Sequence, residues 1–557
     1  MMQGCLINHT FNQEIMKIVK YINLAVVAAL AVGMSSCNDW LTDDTPGTNN
    51  RDEYFTSIST LENVTNACYV PMAWEYGKTY YSEWFFGDIA SDDALKGGQG
   101  ISDGGDAYDI DNFKVNTNNE IVLEYYRAQW QGIARCNLAL DEIAKKKADL
   151  TKAADQLEAD RLEGEAHFMR AFYYFRLLRL YGGMPLIEEV IDSSSKWAQH
   201  RATATETFDF IVRDLEKANQ QLWVKSKYSA SDLGRATKGA AQAMLLKTNL
   251  YYADYLESNG DVNGAQAKFQ LAKAWGDSII ASGQYSLDKN FFTNFTLAGE
   301  NDSESVFEIQ YVEDPTSDYG EGEGFTRGTF TLILQRSRSS FWGQAGWGFD
   351  KPTENLYNEF EPGDPRRDST ILRPAYGQME TPAQEIYTGD SLLNRKYAMY
   401  TENNGSCYHL THDSRGPLNN KQIRYSDVLL MYAEACCELG YLGEARTALN
   451  SVRVRVGLQS FPYTSVIQGK TVTYTDTQAD LRAAIRHERR VELAMEGHRW
   501  FDLVRWGIAK ETMDNYIAGE TDEAKAQWGS FTKGKCELFP IPSKEIDLTG
   551  ITQNPNY

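Results

Sequence analysis

Ile423-Arg-Tyr-Ser-Asp-Val-Leu-Leu-Met-Tyr-Ala-Glu-Ala-Cys-Cys-Glu-Leu-Gly440 and Tyr441-Leu-Gly-Glu-Ala-Arg-Thr-Ala-Leu-Asn-Ser-Val-Arg-Val454 together decide the fold class. Tyr425, Val428, Leu429, Tyr432, Ala435, Cys436 and Leu439 recur at i, i+3, i+4 and i+7. That stripe predicts a helix with one buried face over 423–439. Gly440 stands where such a helix stops, because glycine takes the left-handed turn after a C-terminus without strain. A second stripe follows in 444–454, made of Ala445, Ala448, Leu449 and Val452. Small alanines on that face let two helices approach closely.

Helix, glycine turn, helix is the sequence pattern of a tetratricopeptide-like repeat. The same period appears upstream over 126–143, over 157–181 up to Gly182-Gly183 with Pro185 following, and over 207–222. A further pair, 240–256 and 265–282, flanks Asn259-Gly260. Stacked neighbours bury faces that no single pair can bury alone. The sequence therefore reads as mainly α, a tetratricopeptide-like helical-repeat scaffold. Residues 285–408 differ, being rich in Gly, Asn, Thr, Asp and aromatics, with one alternating stretch at Val306–Tyr311 that reads as a short strand. Long irregular segments inside compact proteins are functional or disordered. The aromatic density here argues for an ordered, loop-rich, ligand-binding insert.

The N-terminal region reads as an export signal. Lys17 and Lys20 precede an apolar run from Ile22 to Met34, then Ser35-Ser36-Cys37. The run is shorter than the roughly 20 apolar residues of a membrane span, and the charge, apolar core and small residues fit a signal peptide over 1–36 with Met16 as the expected start. A cysteine directly after such a segment is the lipid acceptor of bacterial lipoproteins, so Cys37 is the expected lipidation site. Residues 37–50 read as a polar tether and 51–557 as the body. A net charge of -22 argues against nucleic acid, which rewards basic faces. The six cysteines after Cys37 are sparse and form no CxxC pair, so they read as packing residues rather than staples; Cys436 and Cys437 lie inside a helical stripe.

Five phrases in order carry a resemblance. They are Gly164-Glu-Ala-His-Phe-Met-Arg170 leading to Leu180-Tyr-Gly-Gly-Met-Pro-Leu186; Arg424-Tyr-Ser-Asp-Val-Leu-Leu-Met-Tyr-Ala-Glu434; and Leu449-Asn-Ser-Val-Arg453-Val-Arg455. The fourth is Ile485-Arg-His-Glu-Arg-Arg-Val-Glu492 with Glu496-Gly-His-Arg-Trp500-Phe-Asp502, and the fifth Leu538-Phe-Pro-Ile-Pro542 with Gln553-Asn-Pro-Asn-Tyr557. From Tyr54 to Tyr557 the chain resembles the SusD/RagB family, with Met495 and Asn556 as small departures from its pattern. The resemblance implies an outer-membrane, lipid-anchored, cell-surface protein. It implies capture of oligosaccharide and its delivery to a SusC-type TonB-dependent transporter. Peptide capture by the same fold is the alternative reading, and a surface glycan hydrolase a further one. A scaffold that only binds other proteins is a fourth reading, and aromatic loop density favours ligand capture over it.

The candidate chemistry favours binding over catalysis. Gly100-Ile-Ser102-Asp-Gly104 matches GxSxG but is flanked by a turn cluster, where a nucleophile elbow needs a strand and a helix. His487-Glu488 fails HExxH because position 491 is Val. His409 and His412 lie in a polar loop. No cofactor is expected. Asp318, Glu321 and Glu323 offer the hard oxygens that suit Ca²⁺, although solvation of an acidic loop is the preferred reading. The Arg and Glu residues of 486–505 read as a salt-bridge lattice at helical spacing, tying helices to the C-terminal tail.

Sugar rings present apolar C–H faces that flat aromatics cover and hydroxyl rims that planar polar groups bind. Two loop regions have that composition: Trp74 to Asp93, and Tyr319 to Trp347. Tyr319 and Trp342 are the expected platforms, Arg336 or Asp93 the expected rim, and Trp84 and Tyr76 further candidates; Trp347 reads as packing.

Overall fold

Side-chain caps set where several helices of this computed structural model begin. Its described residues are 54–193, 196–313, 327–338, 344–373, 392–399, 409–411 and 415–557. Helix α1 spans Ile58–Tyr69 behind a Ser57–Thr60 capping box. Helix α2, Glu120–Lys147, starts ahead of its apolar stripe because Asn119 Oδ1 accepts from Val122 N at 3.1 Å. Helix α3 is Ala153–Tyr181. Thr203 and Glu206 box the start of α4, Ala204–Gln221. Thr237 caps α5, Lys238–Ser258, and Asp261 caps α6, Val262–Ala281. A short helix α7, Thr331–Gln335, lies in the insert. Helices α8, Tyr425–Glu438, and α9, Leu442–Arg455, are the pair first read from the sequence. Helix α10 is Gln478–Leu493, α11 Arg499–Arg505 and α12 Ser543–Thr549.

The helices pack in chain order, α2 on α3, α3 on α4, α4 on α5 and α5 on α6, and then α6 meets α8, which packs against α9 and α10. Neighbouring pairs thus stack as in a tetratricopeptide-like scaffold, and Ser57–Tyr557 form one compact unit. Close approach is built in at Gly132 on α2, where a Cβ would come 2.3 Å from the Tyr173 ring on α3. Leu430, Cys436, Cys437, Leu449, Val452, Leu481 and Ile485 share one core, so the neighbouring cysteines are buried packing residues.

Strands are few and all antiparallel among the described residues. Strand β1, Ala94–Gly97, pairs with β3, Phe349–Pro352. Strand β2, Ser305–Ile309, pairs with β6, Asn420–Arg424. Ile423 and Arg424 therefore belong to a strand rather than to the start of the helix expected from 423. Strands β4, Ile371–Leu372, and β5, Leu393–Asn394, form a short pair. The hairpin β7–β8, Tyr463–Ile467 and Lys470–Tyr474, turns on Gln468 (φ 52°) and Gly469 (φ 69°). Positive φ at both central residues is the two-residue turn that matches strand twist. No helix among the described residues is long and apolar enough to cross a membrane.

The charged residues of α10 form a lattice, with partners other than expected. Glu492 pairs with Arg366 at 2.9 Å, Arg424 at 2.9 Å and Arg455 at 2.6 Å. Glu488 takes Arg366 at 2.5 Å and Arg453 at 2.8 Å. Arg489 reaches Asp427 and Asp502, and Arg505 reaches Glu434, Asp254 and Asp502. These side chains are buried. They clamp α10 to the insert, to β6 and to α8 and α9, not to the C-terminal tail. The tail is held separately: Phe539 N donates to Leu180 O at 2.7 Å, and Asn554 Nδ2 donates to Tyr181 O at 3.1 Å. The inward face of a buried helix pairs across elements, because its own neighbours point along the same face.

Candidate functional site

Two loops more than two hundred residues apart are stitched into one surface by β1 and β3. Gly97 sits at φ 73°, a left-handed conformation that favours glycine, and a Cβ there would meet Gly348 O at 2.2 Å. Gly98 N donates to that same carbonyl at 2.7 Å. Thr353 N donates to Asp93 O at 2.9 Å and its hydroxyl to Asp92 O at 2.7 Å. The second tie is Glu75, whose buried carboxylate accepts from Phe330 N at 2.6 Å, Thr329 Oγ1 at 2.8 Å and Thr331 Oγ1 at 2.6 Å. One carboxylate thereby fixes the start of α7 against the 74–81 loop.

On this base the aromatic rings of both loops meet. Tyr76 and Tyr80 lie 5.0 Å apart between centroids, and each packs on Phe330, at 5.5 and 5.3 Å. Trp347 stands edge-on to Tyr80 at 5.3 Å. The Arg415 guanidinium lies over Phe330 at 3.9 Å. Phe330 is buried, whereas Tyr76, Tyr80 and Trp347 are half-buried and reach the surface. Beside them Arg338, its side chain 41% exposed, donates through Nη1 to Trp347 O at 3.3 Å and stands 3.8 Å from Asp103 Oδ2. Asp103 is held by Gln99 N at 2.7 Å, and Lys96 Nζ braces the same turn through Gly100 O at 2.9 Å and through Asp103 O. The result is an aromatic surface with a guanidinium and a carboxylate at its edge. It can stack apolar ring faces and hydrogen-bond hydroxyls.

Of the expected residues that the structure describes, Tyr76 joins this surface and Trp84, Asp93 and Arg336 do not. Trp84 is buried, stacks on Phe85 at 3.9 Å and donates through Nε1 to Thr331 Oγ1 at 3.2 Å. It supports α7 from beneath. Asp93 is buried and accepts from Arg490 Nε at 2.8 Å, so its carboxylate belongs to the lattice, not to a ligand rim. Arg336 is fully buried, donating through Nε to Ala398 O at 3.0 Å and through Nη1 to Gln344 Oε1 at 3.0 Å. The exposed guanidinium is that of Arg338, two residues on. Tyr319 and Trp342 lie outside the described residues, as do Asp318, Glu321 and Glu323. Trp347, read as packing, both packs on Tyr80 and reaches the surface. Glu75 carried no sequence signal, because a carboxylate between two aromatics looks like a solvated turn residue until its partners fold over it.

Ser102 sits in the turn between β1 and a short helix, Gly105–Asp111, with no hydrogen bond from a described histidine. No group of three His, Cys, Asp or Glu residues among the described residues is placed to hold a metal ion.

Glu75→Ala leaves an amide and two hydroxyls inside the protein without their acceptor. The expected loss is about 2–4 kcal/mol, read as a shift of the urea midpoint at unchanged slope. A loss below about 0.5 kcal/mol, the size of an ordinary surface substitution, contradicts the anchoring role.

Comparison with known proteins agrees with this architecture over most of the chain. Residues 303–557 match a family model described as the SusD family, and residues 36–250 match one described as starch-binding associating with outer membrane. The chain belongs to the SusD/RagB family. As a SusD-like chain it is 25% identical over 550 residues to SusD-like protein P2 of Formosa agariphila, covering 95% of this chain and 98% of that one. A solved laminarin binding SusD-like protein is 26% identical with a TM-score of 0.70, covering 90% of this SusD-like chain and 100% of that one. Surface glycan-binding protein A from Bacteroides thetaiotaomicron, solved in complex with laminarihexaose, shares the fold at 24% identity and a TM-score of 0.73, with coverages of 90% and 100%.

Proposed function

We propose that this protein captures neutral oligosaccharides at the cell surface, anchored to the outer membrane by lipid at Cys37, and passes them to a SusC-type TonB-dependent transporter. The observation that carries the reading is the Tyr76–Tyr80–Trp347 surface with Arg338 and Asp103 at its edge. Aromatic faces with a sparse polar rim suit sugar rings, and the guanidinium beside a carboxylate leaves little net field to attract a charged ligand. The laminarin and laminarihexaose named for two relatives are neutral glucans and support the same class. Cys37, outside the described residues, directly follows the apolar run and small residues of an export signal.

The site holds ligand without breaking it. A glycosidase needs two carboxyls flanking one bond; among the described residues the carboxylate at the Arg338 edge is that of Asp103, paired with a guanidinium. The experiment is a binding panel of neutral and acidic polysaccharides and peptides, laminarin included, against the mature protein. Binding of at least one neutral glycan with no release of reducing ends is the expected result. A peptide as sole binder, or glycan cleavage that follows the protein through purification, overturns it.

A further inference from the structure

A wide groove is lined in part by Tyr76, the residue that also packs on Tyr80. It holds about 1010 Å³ between α2, the 74–78 loop, the residues Pro185, Ile187, Trp197 and Gln199, and α12. Ligand pockets for small molecules run from about 300 to 1,000 Å³, so its size suits several sugar rings. Three indoles line it, each from a different element: Trp74 from the loop, Trp130 from α2 and Trp197 from the chain after α3. Trp197 is 51% exposed, an unusual state for so large an apolar side chain. Gln131 on α2 and Gln199 supply planar amides beside the indoles.

The charges in the groove cancel. Arg127 donates to Glu545 Oε1 at 2.8 Å and stands 3.8 Å from Glu124 Oε1, which leaves Lys78 to balance the second carboxylate. A phosphate or a polyanion finds no cationic cluster there, and a cation finds no bare acidic one. Indole faces, amides and a balanced field together fit an uncharged sugar chain. Continuity supplies the direction. Tyr76 lines this groove and packs against both Tyr80 and Phe330, so it is the wall shared by the two surfaces.

We infer that the groove of Trp74, Trp130 and Trp197 is a second sugar-binding subsite, taking the extension of a neutral glycan whose first rings rest on Tyr80 and Trp347. The inference depends on the proposed glycan capture and deepens it: the preferred ligand is a long chain, not a short oligosaccharide. Arg135 lies over the Trp74 ring at 5.3 Å, and Trp130 packs edge-on to Tyr174 at 5.9 Å, so these two indoles are fixed by their neighbours before ligand arrives. Fixed platforms reduce the ordering cost of binding.

The test uses the panel polysaccharide that binds most tightly, as the polymer and as its trisaccharide. Trp197→Ala removes one platform. Ala134→Arg, on the exposed face of α2, fills the groove without deleting any contact. Each variant is checked by circular dichroism. The ratio of polymer to trisaccharide affinity is expected to fall about tenfold in both, the size of one lost aromatic contact. Trp347→Ala removes a platform that both lengths use and takes binding of both below detection. An unchanged ratio in both folded groove variants overturns the subsite. A ratio that stays constant while the variants lose co-purification with a transporter also overturns it, and assigns the groove to a protein partner. A wild-type chain that binds no panel glycan overturns the capture reading itself.

Discussion

Glu492→Ala is expected to remove about 3–5 kcal/mol of stability, the cost of breaking a buried ion pair from one side. Glu492 is fully enclosed and faces three guanidiniums, Arg366, Arg424 and Arg455. Arg366 and Arg424 keep other carboxylates, Asp364, Glu488, Glu304 and Glu496, yet the charge balance of the cluster is lost. Among the described residues Arg455 keeps the carboxylate of Glu304, at 3.1 Å. Burial alone would raise the Glu492 carboxyl, and the guanidiniums of Arg455, Arg424 and Arg366 outweigh it, holding the group well below the usual carboxylate range. A depressed folded value means that this stabilisation is complete above the unfolded pKa of about 4.3 and fades as pH falls toward the folded value. The measurement is urea unfolding of wild type and variant at neutral pH and at about pH 4. The account requires a large difference at neutral pH that narrows in acid. A variant within about 1 kcal/mol of wild type at neutral pH contradicts it.

The second large effect concerns location. Cys37→Ala is expected to move the protein from the membrane pellet to the soluble fraction, because no other segment of the mature chain is an apolar run of spanning length. One acyl chain gives only marginal binding and two or more give a stable anchor, so removing the acceptor thiol abolishes retention rather than weakening it. The readouts are fatty-acid labelling and fractionation after carbonate wash. Label retained by the variant rules out Cys37 as the acceptor.

The scaffold was legible in the sequence because helices with one buried face write a 3.6-residue period. The stripes of 240–256 and 265–282 became α5 and α6 within a few residues, and the caps Thr237 and Asp261 account for the earlier starts. The hairpin after α9 leaves only a short alternation around Gln468-Gly469 in the sequence, a weaker mark than a helical stripe. The site was harder. Period says nothing about which loops meet, and β1 joins β3 across more than two hundred residues. Composition singled out the two loops that β1 and β3 bring together, but not which of their side chains reach the surface. Arg336 and Arg338 look alike in sequence. The first points inward to Ala398 O and the second out beside Trp347, and the turn of α7 decides between them. Asp93 misled for a similar reason: its lattice partner Arg490 lies almost four hundred residues away.

The central claim is that sugar rings stack on the Tyr80–Trp347 surface, and calorimetric titration of Trp347→Ala and Tyr80→Ala with the tightest panel glycan tests it most directly. An open site with few anchors is expected to give the wild-type protein a Kd on the order of μM to mM, or roughly -8 to -4 kcal/mol. Losing either platform is then expected to take binding below detection while circular dichroism shows the helical scaffold intact. Wild-type affinity in both folded variants contradicts the account.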